Sequence, residues 1–418
     1  MQPQQEESQT NNVDPKCLPD NYGWHVRAVP VLRRAIGPLC LLTLCAILIA
    51  GLWPFRAPPN EVTWIEAENG VRFGAHGTLL STSTFPISSK DDGGAIEIWI
   101  RPAKIWTTGA ILVFYSAEKK REFSIIQDYA DLLITTNAIS VGAENGQEQL
   151  RVKDVFRDRE AFITLTSDER KALVYVDGRL ATVASSFALS GKDLSGQLIV
   201  ANAPLRDWSW SGDLKGLAIY PRTLSSTEAQ RHYQGWVVDG TPLPEKSAMP
   251  VAVYLFNEHS GKVVANVVSS ATNLKIPERF ALVDQLRFES PLSEFRHDRS
   301  YVKDAFINVL GFVPLGFVCG LYFGTVRQSR RAVLITVLIG AAISLAIEYF
   351  QSYLPTRFSG VTDIITNTAG TWIGVMLSNK VGLFAPRYWA EQFYVQPSKP
   401  LKSSVLLGSK SRLGDACR

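Results

Sequence analysis

The stretch Glu348-Tyr349-Phe350-Gln351-Ser352-Tyr353-Leu354-Pro355-Thr356-Arg357, followed by Asp363-x-x-x-Asn367-x-x-Gly370-x-x-x-Gly374, sets polar groups inside an apolar run. Strongly apolar sequence lies on either side, from Ala332 to Ile347 and from Ile373 to Leu377. Hydrocarbon strongly disfavours ionisable side chains, so those found inside membrane helices are candidates for function. Glu348 and Gln351 are three apart and share one helix face; Asp363 and Asn367 are four apart and share another. Pro355 and Arg357 fall in the short connection between the two helices. A tight connection brings the two polar faces together.

Working outward, Ala305 to Val326 reads as a preceding span, punctuated by Asn308, Gly311, Pro314 and Gly316, with Asp304 just before it. Gly316, Gly320 and Gly324 repeat at intervals of four and offer a small face for close helix approach. Ala332 to Leu354 and Val361 to Ser378 read as two further spans. Near the amino terminus, Ala35 to Phe55 runs without a charge for long enough to cross a bilayer. A cleaved signal peptide is the alternative there, but no small-residue cleavage site follows Trp53-Pro54-Phe55. Arg27, Arg33 and Arg34 precede this run; Arg327, Arg330 and Arg331 lie between the second and third spans; Lys380, Arg387, Lys399, Lys402, Lys410 and Arg412 follow the fourth. Four spans with both termini in the cytoplasm put every basic cluster on one side. Asp304, Glu348, Gln351, Arg357, Asp363 and Asn367 then lie within about 10 Å of the outer interface at ~1.5 Å of rise per residue. Packing the helices together is the plain alternative role for this cluster.

Residues 62 to 240 read instead as an all-β domain outside the membrane. Short apolar or alternating runs such as Ala95–Ile100, Ala110–Tyr115, Phe123–Gln127, Phe162–Thr166 and Leu214–Tyr220 are separated by turn residues. Asp177-Gly178 between two such runs signals a tight hairpin, and Ser225-x-x-Glu228 signals the start of one short helix. Many short strands with few helices imply a sandwich or jelly roll. Residues 1 to 34 read as a cytoplasmic disordered tail, 281 to 303 as a linker or interfacial segment, and 381 to 418 as a basic cytoplasmic tail. A net charge of +4 is too small to argue for nucleic acid. None of the five cysteines lies between Arg56 and Asp304, so the β domain is built without disulfides, and no Cys/His spacing suggests zinc.

The run Gly212-Asp213-Leu214-Lys215-Gly216-Leu217-Ala218-Ile219-Tyr220, then Arg222-x-Leu224-Ser225-x-x-Glu228, resembles the end of laminin-G-like, concanavalin A-like domains. Ala95–Ile100 resembles an early strand of that fold. Tyr254-Leu255-Phe256-Asn257-Glu258-x-x-Gly261 is also similar to it, displaced to the end of the domain, where it is expected to close the sandwich. The resemblance covers about 200 residues, roughly 60 to 280, a size ordinary for one β-sandwich domain. It implies glycan or calcium binding in some members and structural contacts in others. Trp99, Trp106, Trp208 and Trp210 are candidate sugar-stacking platforms, with Trp208 and Trp210 the preferred pair and core packing the alternative. Glu97 and Asp213 form no recognisable glycosidase pair.

The set Asn308-x-x-x-Phe312-x-Pro314-x-Gly316, Glu348-x-x-Gln351, Pro355-x-Arg357, Asp363-x-x-x-Asn367-x-x-Gly370 and Gly374 resembles the VanZ-like family. These are small bacterial membrane proteins named for an accessory factor in glycopeptide (teicoplanin) resistance. The match runs from Asp304 to about Lys380, with the β domain inserted into the first outer loop. Members often carry an acid shortly after the arginine, where this chain has Gly360. The expected fold is therefore a four-helix transmembrane bundle plus an extracytoplasmic all-β jelly roll. The expected setting is the bacterial plasma membrane, with membrane lipid and cell-wall glycan or an envelope precursor as partners. The alternative is a membrane-embedded enzyme in which Glu348 or Asp363 acts as acid or base and Arg357 grips a phosphate or carboxylate. Candidate binding residues are Arg357, Gln351, Asn367, Asn308, Asp304, Trp208 and Trp210. No resident metal or cofactor is implied apart from calcium in the sandwich.

Overall fold

The computed structural model describes residues 22–86, 93–118, 121–136, 148–157, 160–168, 170–240, 249–291, 299–324 and 329–392. Most of the expected polar tail, the charged run Glu294–Asp298, the loop carrying Arg327, and the basic tail from residue 393 lie outside the described residues. The chain divides into two compact units. One comprises residues 1–44, 309–340 and 368–418; the other comprises 45–308 and 341–367.

The larger unit contains a β-sandwich. Its strands, in chain order, begin β1 (Val62–Trp64), β2 (Val71–Phe73), β3 (Leu79–Ser81), β4 (Gly94–Pro102), β5 (Thr108–Ser116), β6 (Arg121–Asp128), β7 (Asp131–Thr136) and β8 (Glu148–Val152). They continue with β9 (Ala161–Ser167), β10 (Ala172–Val176), β11 (Arg179–Ala184), β12 (Gln197–Val200), β13 (Gly212–Tyr220), β14 (Ala252–Tyr254), β15 (Val263–Val264) and β16 (Leu274–Lys275). One sheet has the order β1-β2-β13-β4-β9-β10-β11, with β14 also paired to β13; the other has the order β15-β16-β3-β12-β5-β6-β7-β8. The late segment around Tyr254 thus does close the first sheet, pairing with Leu217–Ile219 beside β2.

Alternation drives the packing. Ile96, Ile98 and Ile100 of β4 enter the core with Leu214, Leu217 and Ile219 of β13, opposite Phe114, Phe123, Ile125, Leu132 and Ile134 of the second sheet. Every residue of β13 is buried, because its other face is also covered. Phe162, Ala218, Tyr220, Leu224, Trp236 and Val253 form that second layer. Gly216 is needed there, since a Cβ would overlap the Trp236 ring. The short helix α2 (Ser226–Tyr233) starts with the expected capping box, Ser225 and Glu228 satisfying each other's backbone donors. Asp177 and Gly178 both adopt positive φ, 51° and 71°, the requirement of a type I′ hairpin between β10 and β11.

Four longer helices complete the described chain: α1 (Tyr22–Leu52), α3 (Arg299–Gly324), α4 (Ser329–Gln351) and α5 (Val361–Gln392). Among the described residues two stretches are long and apolar enough to cross a membrane, Tyr301–Gly324 and Arg330–Gln351; Ile36–Leu52 is apolar but shorter. In the smaller unit α3 and α5 touch backbone to backbone. A Cβ on Gly316 would overlap the Thr371 carbonyl, one on Gly370 the Val309 carbonyl, and one on Gly374 the Val313 carbonyl. Gly320 faces Ser378, whereas Gly324 meets nothing within 4 Å. The predicted glycine face is therefore used over its first two members.

Candidate functional site at the α4–α5 connection

Glu348, on the last turn of α4, is 2% exposed, and its Oε2 accepts the Gly360 N–H at 3.0 Å. Gly360 is the position where the resembled family often has an acid; here its backbone closes over a carboxylate instead. Gln351 Nε2 donates to the Gly51 carbonyl at 2.6 Å, and Arg357 Nη2 donates to the Trp53 carbonyl. Both acceptors lie at the carboxyl end of α1, where a helix leaves carbonyls without internal partners and favours positive charge. Arg357 thus caps α1. Asn308 Nδ2 donates to Asp363 Oδ1 at 2.7 Å, tying α3 to the start of α5. Asn367 Nδ2 donates to Ser344 Oγ at 2.9 Å, tying α5 to α4. Asp304 is exposed.

Sequence reasoning missed what holds this loop from outside. Segment 285–289 lies along it like a strand. Gln285 Nε2 donates to the carbonyls of Leu354 and Arg357, at 2.6 and 3.2 Å. The Glu289 N–H donates to the Ser359 carbonyl, and the Val361 N–H donates to that of Glu289. Arg206, from the loop before β13, grips both Glu289 carboxylate oxygens at 2.5 and 2.6 Å. This pair is largely buried, 16% and 14% exposed. Composition carried no signal for these contacts, since backbone carbonyls accept from any sequence. Replacing Glu289 with Gln should leave the Arg206 charge without its counter-charge and cost about 1–3 kcal/mol. The expected readout is faster amide exchange across 285–291 with little change in β9 or β10; unchanged exchange would show that the clamp does not depend on this pair.

The tryptophans of the sandwich separate by burial. Trp210 is core: its ring lies 6.0 Å from Phe73 and its Nε1 donates to Gln127 at 2.7 Å. A ring packed on both sides presents no face to a sugar. Trp208 is half-buried against the cluster of Ala203 and Leu205. Trp99 lies under the Lys215 ammonium, 5.1 Å from ring centre, and donates to Glu160. Trp106, by contrast, is 76% exposed. Its loop is braced by Gln127, which donates to the carbonyls of Lys104 and Tyr129, and by the Tyr129 N–H bound to the Thr107 carbonyl. Tyr129 is also exposed and sits at a φ of 58°.

Three carboxylates of the sandwich have structural partners. Asp213 is buried, which works against ionisation, but Arg72 and Arg101 bind both its oxygens and hold it below the usual carboxylate range. Glu97 accepts from Tyr220 Oη at 2.8 Å and lies 2.9 Å from His232 Nδ1, fastening α2 to the sheet. Burial pushes the Glu122 carboxyl up to about 7, against the opposing effect of the Ser124 hydroxyl bonded to it. Among the described residues no group of three His, Cys, Asp or Glu is placed to hold a metal ion.

The VanZ/LLP1 family model matches residues 249–384, and the concanavalin A-like lectin/glucanases superfamily model matches residues 73–230. Both agree with the two resemblances read from motifs. No curated protein matches the chain. A putative carbohydrate binding protein from Bacteroides ovatus is similar at 12% identity over 54% of this chain and 63% of its own, with a TM-score of 0.36. A SAP-like pentraxin from Limulus polyphemus is similar at 13% identity over 53% and 96%, TM-score 0.31. The Ruminococcus gnavus IT-sialidase CBM40 bound to α2,3-sialyllactose is similar at 12% identity over 39% and 96%, TM-score 0.30. The chain therefore spans less than two thirds of the first of these structures.

Proposed function

We propose that this chain is a membrane protein of the cell envelope in which a lectin-like sandwich on the outer side binds glycan and transmits its position to the helix loop at Glu348–Asp363. The role is non-enzymatic. In this reading α1, α3, α4 and α5 span the membrane with both termini in the cytoplasm, a topology supported by the basic clusters flanking them. The observation that carries the glycan reading is the exposed Trp106–Tyr129 pair on a hydrogen-bonded junction of loops. Exposed, rigidly held aromatic rings offer area for stacking at low entropic cost. Glu348 accepts from a backbone amide and Asp363 from an asparagine, contacts that support a positioning role.

The test is calorimetric binding of soluble cell-wall glycan fragments to the full chain in lipid nanodiscs. Trp106→Ala and Tyr129→Ala are each expected to weaken binding by about 0.5–1.5 kcal/mol, the value of one aromatic stack. Absence of binding by the wild type, or affinity unchanged in both variants, would remove the glycan reading.

A further inference from the structure

The larger unit presents an aromatic, cationic surface around the α4–α5 connection. Trp53, Phe55, Tyr349, Phe350, Tyr353 and Phe358 are all exposed there. Several are neighbours edge to edge: Trp53 and Phe55 at 5.8 Å, Tyr349 and Tyr353 at 5.4 Å. Segment 285–289 extends this surface. Its ends, Gln285 and Glu289, bind the loop, Glu289 through its backbone, and the residues between them, Leu286, Arg287 and Phe288, are exposed. Phe288 has a φ of 52°, a left-handed conformation that a bulky side chain rarely adopts. An exposed ring on a strained backbone is doubly unfavourable in water; an interfacial lipid environment removes the first cost.

Arginines predominate among the charges on this surface, and the exposed acid just before the segment, Asp284, accepts from Tyr115 Oη at 3.1 Å. Arg56 and Arg287 are exposed and Arg357 is half-buried, whereas the carboxylates of Glu348, Asp363 and Glu289 have partners within the protein. The exposed acid on α3, Asp304, stands beside Lys303. The Arg287 guanidinium lies 5.0 Å over the Tyr353 ring, which orients it without neutralising it. Aromatic rings interleaved with arginines match the lipid–water interface, where rings sit at headgroup depth and a guanidinium can grip phosphate with two parallel hydrogen bonds.

We propose that residues 286–288 lie in the outer lipid–water interface and that Arg287, stacked on Tyr353, binds the phosphate of anionic lipid headgroups. Segment 285–289 is then a membrane clamp for the sandwich, fixed to the helix loop on one side and to lipid on the other. This rests on the reading that α3 and α4 span the membrane.

The test uses the full chain in nanodiscs, with cysteine introduced at Phe288, Leu338 or Leu180 and labelled with an environment-sensitive fluorophore. Wild-type protein labelled in parallel supplies the background from native cysteines. Doxyl-labelled lipid is expected to quench the labels at 288 and at 338, in mid-α4, and not at 180, on the sandwich. Quenching at 338 without quenching at 288 overturns the clamp and leaves the spanning helices in place. No quenching at 338 removes the spanning reading and the clamp with it. In a second arm, phosphatidylglycerol discs are expected to raise the Tm relative to phosphatidylcholine discs, and Arg287→Gln to lose that increment. An increment kept by Arg287→Gln, or reproduced by inorganic phosphate added to phosphatidylcholine discs, would overturn the lipid-phosphate contact.

Discussion

Gly374→Ala is expected to destabilise the helical part by about 3 kcal/mol or more, because the added methyl has no space to enter. At Gly374 a Cβ would overlap the Val313 carbonyl oxygen and approach the Phe317 N and the Gly316 Cα. All three are backbone atoms, so no rotamer change relieves the overlap and the two helices must separate. Gly316→Ala should behave alike, since its Cβ would meet the Thr371 backbone. Gly311→Ala is the control: nothing lies within 4 Å of its Cβ, and alanine in a helix is favoured over glycine by about 0.5–1 kcal/mol. Thermal unfolding in one detergent would order the variants as Gly311→Ala, wild type, then Gly316→Ala and Gly374→Ala. Equal midpoints for Gly311→Ala and Gly374→Ala would show that α3 and α5 do not touch.

Glu122→Gln is expected to stabilise the sandwich by up to about 3 kcal/mol at pH 8. The folded state holds the Glu122 carboxyl near 7, against 4.5 for an ordinary glutamate, chiefly because burial disfavours the charge. Between those values the native chain keeps a proton that the unfolded chain releases. Stability therefore falls as pH rises from about 4.5, and the full loss is present above about 7. Glutamine has no proton to release, and its amide oxygen can still accept from Ser124 Oγ, now 2.7 Å from Glu122 Oε1. Urea unfolding of the full chain at pH 4.5, 6 and 8 should show a slope in the wild type that the variant lacks. Parallel pH profiles would assign the slope to another group.

Some of this architecture is visible without coordinates, and the reason is local. Alternation in Ala95–Ile100, the Asp177-Gly178 turn and the Ser225–Glu228 cap depend on neighbouring residues, so strand, hairpin and helix start are legible. The order and spacing of Asn308, Glu348, Gln351, Arg357, Asp363 and Asn367 were likewise enough to single out one region. The partners of those residues were not legible. Arg357 caps the carbonyl of Trp53 and Gln351 takes that of Gly51, because α1 ends beside the loop. Trp208 and Trp210 looked alike two residues apart. The core accepted Trp210, left Trp208 half-buried, and left Trp106 outside.

The sequence by itself determined two kinds of segment, an alternating β domain and apolar helices interrupted by polar residues, because hydrophobic period is written residue by residue. Only the tertiary structure decided which groups meet. The pairing of segment 285–289 with the loop at 354–361 uses mainly backbone carbonyls and amides, which every residue carries. The burial of Glu122 and the exposure of Phe288 come from what other elements cover or leave open. Neither can be read from the residues beside them, since burial depends on segments distant in the chain.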